Sequence, residues 1–284
     1  MKNLKKLTIL HSNDLHGDFM AKEVNQELLG GVSMLSGYVD KVRREEKNVI
    51  YAIAGDMFRG SIIDSEYKGI STIEIMNMIA PDIVTLGNHE VDYGVAHLLF
   101  IERCAQFPII NANMYLTTNH VRLFNSHVVL EVDGMKILFI GVLTEEVLAQ
   151  ARQEKLVGSI VDVYEAASEI GKICNAYQTE DIDFTVLLTH IGFEEDKKLA
   201  VDYLNLEGKN FMDCRWEFIR SALGSVARIA IIPIQDYIGL GTEARINVPS
   251  TLGNNWKWRM KNKDLPEELL EEIKRINQIY KRGN

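Results

Sequence analysis

Short apolar runs recur along the first two thirds of the chain, at LTIL (7–10), NVIYAIA (48–54), DIVTL (82–86), PIINAN (108–113), KILFIGVL (136–143) and DFTVLL (183–188). Runs of this kind predict buried strands. Between several of them lie longer stretches with apolar residues at helical spacing: VSMLSGYVDKVRREEK (32–47), STIEIMNMIA (71–80), VAHLLFIERCAQ (95–106) and VDVYEAASEIGKICNAY (161–177). Strands alternating with helices predict an α/β domain. In such sheets the residues just beyond the carboxyl ends of the strands converge on one crevice, where ligands bind.

The segments that follow the strands are polar and rich in metal-binding residue types: SNDLHG, GDMFRG, GNHEVDYG and THIGFEED. Asp14 and His16 are two apart, so in an extended segment both project from one face and can clamp one cation. Asp56 follows Gly55 at a strand end, where a small residue lets the backbone turn sharply and aim a carboxylate into the crevice. Asn88 offers a neutral carbonyl oxygen and His190 a neutral imidazole. Mixed N/O donors of this kind suit Mn, Fe, Zn or Co. Each pair alone could equally be a helix cap or a satisfied core contact; four such loops at successive strand ends make a metal site the better reading.

Composition narrows the classes. The chain has 284 residues, 46% hydrophobic and 25% charged, with a formal net charge of -9. An acidic balance argues against a nucleic-acid partner, which requires clustered Lys and Arg. No apolar run approaches the ~20 residues of a membrane span, and Met1–Lys6 passes directly into LTIL without a signal-like apolar segment, so the expected location is the cytoplasm. Cys104, Cys174 and Cys214 are far apart and odd in number, and read as packed thiols. Residues 1–200 carry 18 Lys+Arg against 29 Asp+Glu, whereas residues 201–284 carry 13 against 11. All seven histidines precede residue 191 and all three tryptophans follow residue 215, so the composition changes near residue 200.

NDLHG, AGDMFRG, LGNHEVDYG and LLTHIGF, in this order, resemble the motifs of the calcineurin-like metallophosphoesterases, and LTILHSNDLHG resembles their 5′-nucleotidase branch. The resemblance spans about residues 7–198. It implies a layered α/β sandwich in which Asp14 and His16 hold one divalent ion, Asp56 bridges two, and Asn88 and His190 hold the second. It also implies that His89 and Asp92 form the general-acid pair beside the leaving group, and that the substrate is a small phosphate ester, a nucleotide being the natural candidate. The chemistry suits those types. Two cations ~3.5–4 Å apart need a bridging carboxylate, and together they acidify a water and brace the attacking and leaving oxygens. An imidazole beside a carboxylate is held in one orientation and can protonate a departing alkoxide. His11, His97, His120 and His127 read as structural. Arg59 either touches substrate phosphate or pairs with a local acid.

The family pattern requires one further strand and loop, Gly-His-x-His or a variant, which gives each metal another ligand; this chain has no histidine after His190. From about residue 201 to 282 a second resemblance begins. WEFIRSALGSVARIAIIPIQDYIGLGTEARINVPSTLGNNWKWRM is similar to the C-terminal end of the 4-α-glucanotransferases. There it implies the last strand of a (β/α)8 barrel (IAIIP, 229–233), a loop (NVPSTLGNN, 247–255) and a closing helix over 265–282. The catalytic carboxylates of that family lie upstream of this stretch, so Gln235, Asp236, Arg245 and Asn247 read as loop structure or remnants of a sugar subsite. The expected organisation is a phosphoesterase domain, 1–198, lacking its last ligand loop, joined to a strand-plus-helices fragment, 199–284. The leading function is phosphoric ester hydrolysis, weakened by the missing loop. The alternatives are a glucanotransferase-related protein and an inactive fusion.

Overall fold

The computed structural model describes residues 5–24, 26–143, 161–206, 208–209, 214–224, 230, 232–245, 257–261 and 264–282. The chain divides into two compact units, Met1–Phe193 and Glu194–Asn284.

In the first unit the strands are β1 (Thr8–Ser12), β2 (Lys22–Val24), β3 (Glu27–Leu29), β4 (Val49–Ala54), β5 (Ile83–Thr85), β6 (Ile109–Ile110), β7 (Met114–Leu116), β8 (His127–Val132), β9 (Met135–Leu143), β10 (Val161–Val163) and β11 (Phe184–His190). The helices are α1 (Gly31–Glu45), α2 (Ile62–Tyr67), α3 (Ile70–Ile79), α4 (Val95–Cys104) and α5 (Ala166–Ala176), with a 3-10 turn at His89–Val91. A parallel sheet runs in the order β1-β4-β5-β6, and a second sheet runs β11-β9-β8, with β11 parallel and β8 antiparallel to β9.

The unbroken apolar run of β4 follows from burial on both faces. Tyr51 and Ile53 pack with Val39 of α1, Ile73 and Met76 of α3 and Leu98 of α4, while Ile50 and Ala52 point the other way, onto Ile137 and Phe139 of β9 and Leu188 of β11. Two cores therefore share one sheet, giving the layered α/β sandwich. The layers approach closely at Gly141 of β9, where an added Cβ would lie 2.5 Å from Thr85 Oγ1 and 2.6 Å from the Ile110 carbonyl oxygen.

Two expected elements differ. PIINAN is a strand only over Ile109–Ile110, because Asn111 turns its side-chain oxygen to the N–H groups of Asn113 and Met114 and ends the ladder. The stretch 161–177 begins not as helix but as β10, antiparallel to β7; α5 starts only after Glu165, whose carboxylate caps it by accepting from the N–H groups of Ala167 and Ser168.

The second unit contains α6 (Phe193–Tyr203, entered from the last residue of the first unit), α7 (Arg215–Gly224), α8 (Ile234–Ile238), a 3-10 turn at Thr242–Ala244 and α9 (Glu267–Ile279). Ile219, Leu223, Tyr237 and Ile276 form its core, with Trp216 and Tyr280 against them. The expected strand IAIIP falls partly on residues outside the described ones, as do the loop 247–255 and Asn247. Downstream of that stretch, Ile234–Asp236 are helical, since Pro233 opens α8 at its N-cap. Among the described residues no helix is long and apolar enough to cross a membrane.

The close approach at Gly141 predicts that Gly141→Ala destabilises the fold by about 1–3 kcal/mol, the usual cost of overpacking. Gly37→Ala in α1, where an added Cβ meets nothing within 4 Å, should instead stabilise by up to ~1 kcal/mol. Urea midpoints at unchanged slope check both.

Candidate metal centre

Adjacent parallel strands bring the carboxyl ends of β1, β4 and β5 to one sheet edge. The loop after β1 is laced to the loop after β4: the N–H groups of Asp14, His16 and Gly17 donate to the carbonyls of Gly55, Asp56 and Met57 at 3.1, 3.0 and 2.8 Å. Asp14, His16 and Asp56 all adopt left-handed φ, at 54°, 49° and 54°. The segment is thus not extended, as the two-residue spacing suggests. Asp14 and His16 meet because this lacing bends the loop, and Asp14 Oδ1 lies 3.5 Å from His16 Nε2.

Asp56 is the buried centre. Gly87, at the end of β5, lies so close that a Cβ there would overlap Asp56 Oδ1, so only glycine fits. The His89 N–H donates to Asp56 Oδ1 at 2.9 Å, and His190 Nε2 faces Oδ2 at 3.3 Å. Beneath it lies Glu90, which sequence reasoning did not select. Its buried carboxylate accepts the N–H groups of Asp56, Met57 and Gly87 at 3.0, 2.6 and 2.6 Å, tying the β4 and β5 loops together. Burial, and then the charge of Asp56, push the Glu90 carboxyl up to about 7 against those three donors. Adjacency to His89 was the only signal in the sequence.

The histidines are oriented by the backbone. His190 Nδ1 donates to the Ala54 carbonyl at 2.8 Å and His16 Nδ1 to the Phe58 carbonyl at 3.3 Å, which leaves each Nε2 facing the crevice as a donor atom for a cation. His89 Nδ1 is 2.7 Å from Asp92 Oδ2. Burial works to lower the His190 pKa, but its hydrogen bonds to Asp56 and Ala54 and the charge of Asp56 outweigh it and raise it to about 9. Burial likewise works to raise the Asp56 pKa, yet the hydrogen bonds from His190 and the His89 N–H hold it below the usual carboxylate range.

Among the described residues two groups of donor atoms result, His16–Asp56–His89 and Asp14–Asp56–His190, each with its ligand atoms within 4.8 Å of one another. Asp56 is common to both. Asp14 lies near both His16, 3.5 Å away, and His190, and the His89 ring lies edge-on to His16 with centroids 5.2 Å apart. Asn88 stands half-buried between Gly87 and His89, at the N-cap of the 3-10 turn. Oxygen and imidazole donors around a shared buried carboxylate fit a pair of divalent cations. Of the other histidines, His97 is engaged with the Lys68 carbonyl, His120 with Tyr164 and His127 with Tyr177.

Comparison with known proteins finds nucleotidases among the similar chains. The chain is 33% identical over 207 residues to the 5′-nucleotidase of Mus musculus, covering 69% of this chain and 35% of that one. It is 30% identical to the snake venom 5′-nucleotidase of Gloydius brevicauda over 206 residues, at 69% and 34% coverage. Among solved structures, the NAD nucleotidase of Haemophilus influenzae matches with TM-score 0.61 and 27% identity, covering 68% of this chain and 36% of that one. The 5′-nucleotidase precursor of Thermus thermophilus matches with TM-score 0.61 and 27% identity, at 68% and 39% coverage. Residues 7–198 resemble the 5′-nucleotidase branch of the calcineurin-like metallophosphoesterases. The chain spans about a third of the length of the curated relatives it matches. A family model described as 4-alpha-glucanotransferase matches residues 140–265. That match opens within β9, well before residue 201, so its first part overlaps the phosphoesterase-like sheet.

The His190–Asp56 pair makes stability depend on pH in the metal-free protein. A histidine raised from 6.5 to about 9 contributes stability that is complete below pH 6.5 and is lost as pH rises through 9. Denaturation in chelator should show that alkaline loss, and His190→Asn should flatten it.

Proposed function

We propose that the N-terminal unit hydrolyses phosphoric monoesters of the nucleotide class with the help of two divalent cations. The observation that carries this reading is the buried Asp56, within ligand reach of Asp14, His16 and His190, with His89 beside it as the proton donor. Asp14, His16, Asp56, Asn88 and His190 would hold the cations, as Mn, Zn, Fe or Co. Bound there, the pair supplies an acidified water and neutralises charge on the attacking and leaving oxygens.

The chain's own residues do the rest. Backbone bonds at Nδ1 fix the rings of His16 and His190, and Glu90 fixes the loop that presents Asp56. His89, with Nδ1–H on Asp92, carries its transferable proton on Nε2 and gives it to the alkoxide oxygen as the P–O bond breaks. No histidine follows His190, so the further ligands of the family's last loop have no equivalent of that type here. The cations are therefore held loosely and turnover is slow, since misplacing reacting groups by ~1 Å can cost ~100-fold.

The match to glucanotransferases supports a second reading, glycosyl transfer, which the tail does not favour. A glycosidic acid needs a raised pKa. Glu243 is instead held low by N–H groups of its own turn, including that of Gly241 at 2.8 Å, and Asp236 is exposed.

An activated aryl phosphate should be hydrolysed slowly with added Mn²⁺, and both chelation and Asp56→Ala should abolish the reaction. Full activity in either condition sinks the proposal. Disproportionation of maltooligosaccharides should stay below detection; turnover lost in Asp236→Ala would move the active site to the tail.

A further inference from the structure

The loop that carries Asp56 continues into Arg59, a non-glycine residue at φ 63°. That conformation is strained, and three contacts hold it. The Arg59 N–H donates to Asp64 Oδ2 at 2.7 Å, and Asp64 is fully buried, also accepting the Thr72 hydroxyl at 2.5 Å and the Tyr93 hydroxyl at 2.9 Å. Gly60 abuts the metal-site loop so closely that a Cβ would overlap the His16 carbonyl oxygen. Ser61 then caps α2 by accepting the Asp64 N–H at 3.1 Å. The strand-end loop thus has little freedom at Arg59, and its side chain is sent toward Asp92.

The guanidinium meets Asp92 with Nη1 2.6 Å from Oδ2, the same oxygen that accepts His89 Nδ1 at 2.7 Å. With both lone-pair directions of that oxygen in use, the carboxylate cannot rotate without breaking both bonds. An ion pair with an arginine 61% exposed returns little stability, so a strained backbone resting on a buried carboxylate is poorly explained as a stabilising device. Its geometric effect is specific: it fixes the atom that fixes the His89 ring.

We propose that Arg59 is a positioning residue for leaving-group protonation, clamping Asp92 Oδ2 so that His89 keeps Nδ1–H on Asp92 and presents its transferable Nε2 proton to the ester oxygen. This rests on the reading of His89 as the proton donor. It separates the two roles open for Arg59 from sequence by assigning it to Asp92 rather than to substrate phosphate.

The test uses the full chain with Mn²⁺, a nucleoside 5′-monophosphate and an activated aryl phosphate, whose leaving group scarcely needs a proton. Arg59→Met should lower kcat on the nucleotide roughly tenfold, a fraction of the ~10²–10⁴ available from general acid catalysis, with aryl phosphate turnover and both KM values within about twofold. Arg59→Lys should restore part of the loss, and Arg59→Met should add nothing in an Asp92→Ala background. A raised KM on both substrates, an equal kcat loss on both, or an undiminished effect without Asp92 overturns the inference. His89→Ala tells it apart from the reading beneath it. Substrate dependence in His89→Ala but not in Arg59→Met removes the role of Arg59 alone, whereas its absence in His89→Ala removes the proton donor and Arg59 with it. Imidazole ¹⁵N resonances recorded on the neutral ring supply a readout without turnover: His89 should show one Nδ1–H tautomer in the parent, which leaves Nε2 to take up the transferable proton, and an averaged mixture in Arg59→Met. Unchanged resonances overturn the inference.

Discussion

A carboxylate taken out of water costs several kcal/mol unless its surroundings replace the lost solvation, and the N-terminal unit places one, Asp56, at the end of a central strand. Two groups replace it and two more hold the loop in place. The His89 N–H and the His190 ring face its two oxygens. Its own backbone N–H is taken by Glu90. Gly87 lets the β5 loop close to a distance that no side chain allows. Each of these groups is useful only where the others hold it, so the crevice is built around one buried charge. Divalent cations would complete the solvation that the protein leaves open.

The layered fold supplies what a single sheet cannot. Three of the four loops come from neighbouring parallel strands, but His190 belongs to the second sheet, at the end of β11. It reaches Asp56 because the sheets interlock at Gly141, where Thr85 and Ile110 fill the place of a side chain. At the carboxyl end of β9, directly across the ladder from His190, Asn113 bonds the N–H and C=O of Leu143 and the Tyr164 carbonyl, so that the end of β9 is also held. Packing of the strand beside β11 thereby helps set the position of one ligand. The buried acids Glu90 and Asp64 repeat the device locally: each accepts several donors and holds a left-handed loop residue in place.

The C-terminal unit obeys different rules. Its core is built from Trp216, Ile219, Leu223, Tyr237 and Ile276, and it has no histidine. The 4-alpha-glucanotransferase model that matches residues 140–265 reaches across this unit, whose described residues form short helices and turns. The carboxylates Asp236 and Glu243 are solvated or bound within their own turn, the opposite of the burial that tunes an acid for catalysis.

Much of this was legible in the sequence because it is local. Runs buried on both faces announce parallel strands, and loops such as NDLHG and AGDMFRG place ligand types where strand ends converge, so the sandwich and the sheet edge were legible, and Asp14, His16, Asp56, Asn88 and His190 stood out as candidate ligands, with His89 and Asp92 added by the family resemblance. What the sequence could not determine depends on contacts between distant segments. Glu90 looks like any charged loop residue until three N–H groups from two loops surround it. The gathering of Asp14, His16, His89 and His190 around Asp56 follows from left-handed turns and backbone lacing, which leave no periodic trace. Arg59 stood equally well beside a phosphate or an acid; only the tertiary fold put Asp92 within 2.6 Å of it. Residue order determined which chemical groups reach the crevice, and three-dimensional packing decided which atoms of those groups face one another, because hydrogen-bond geometry is set by backbone positions that residues far apart in the chain fix jointly.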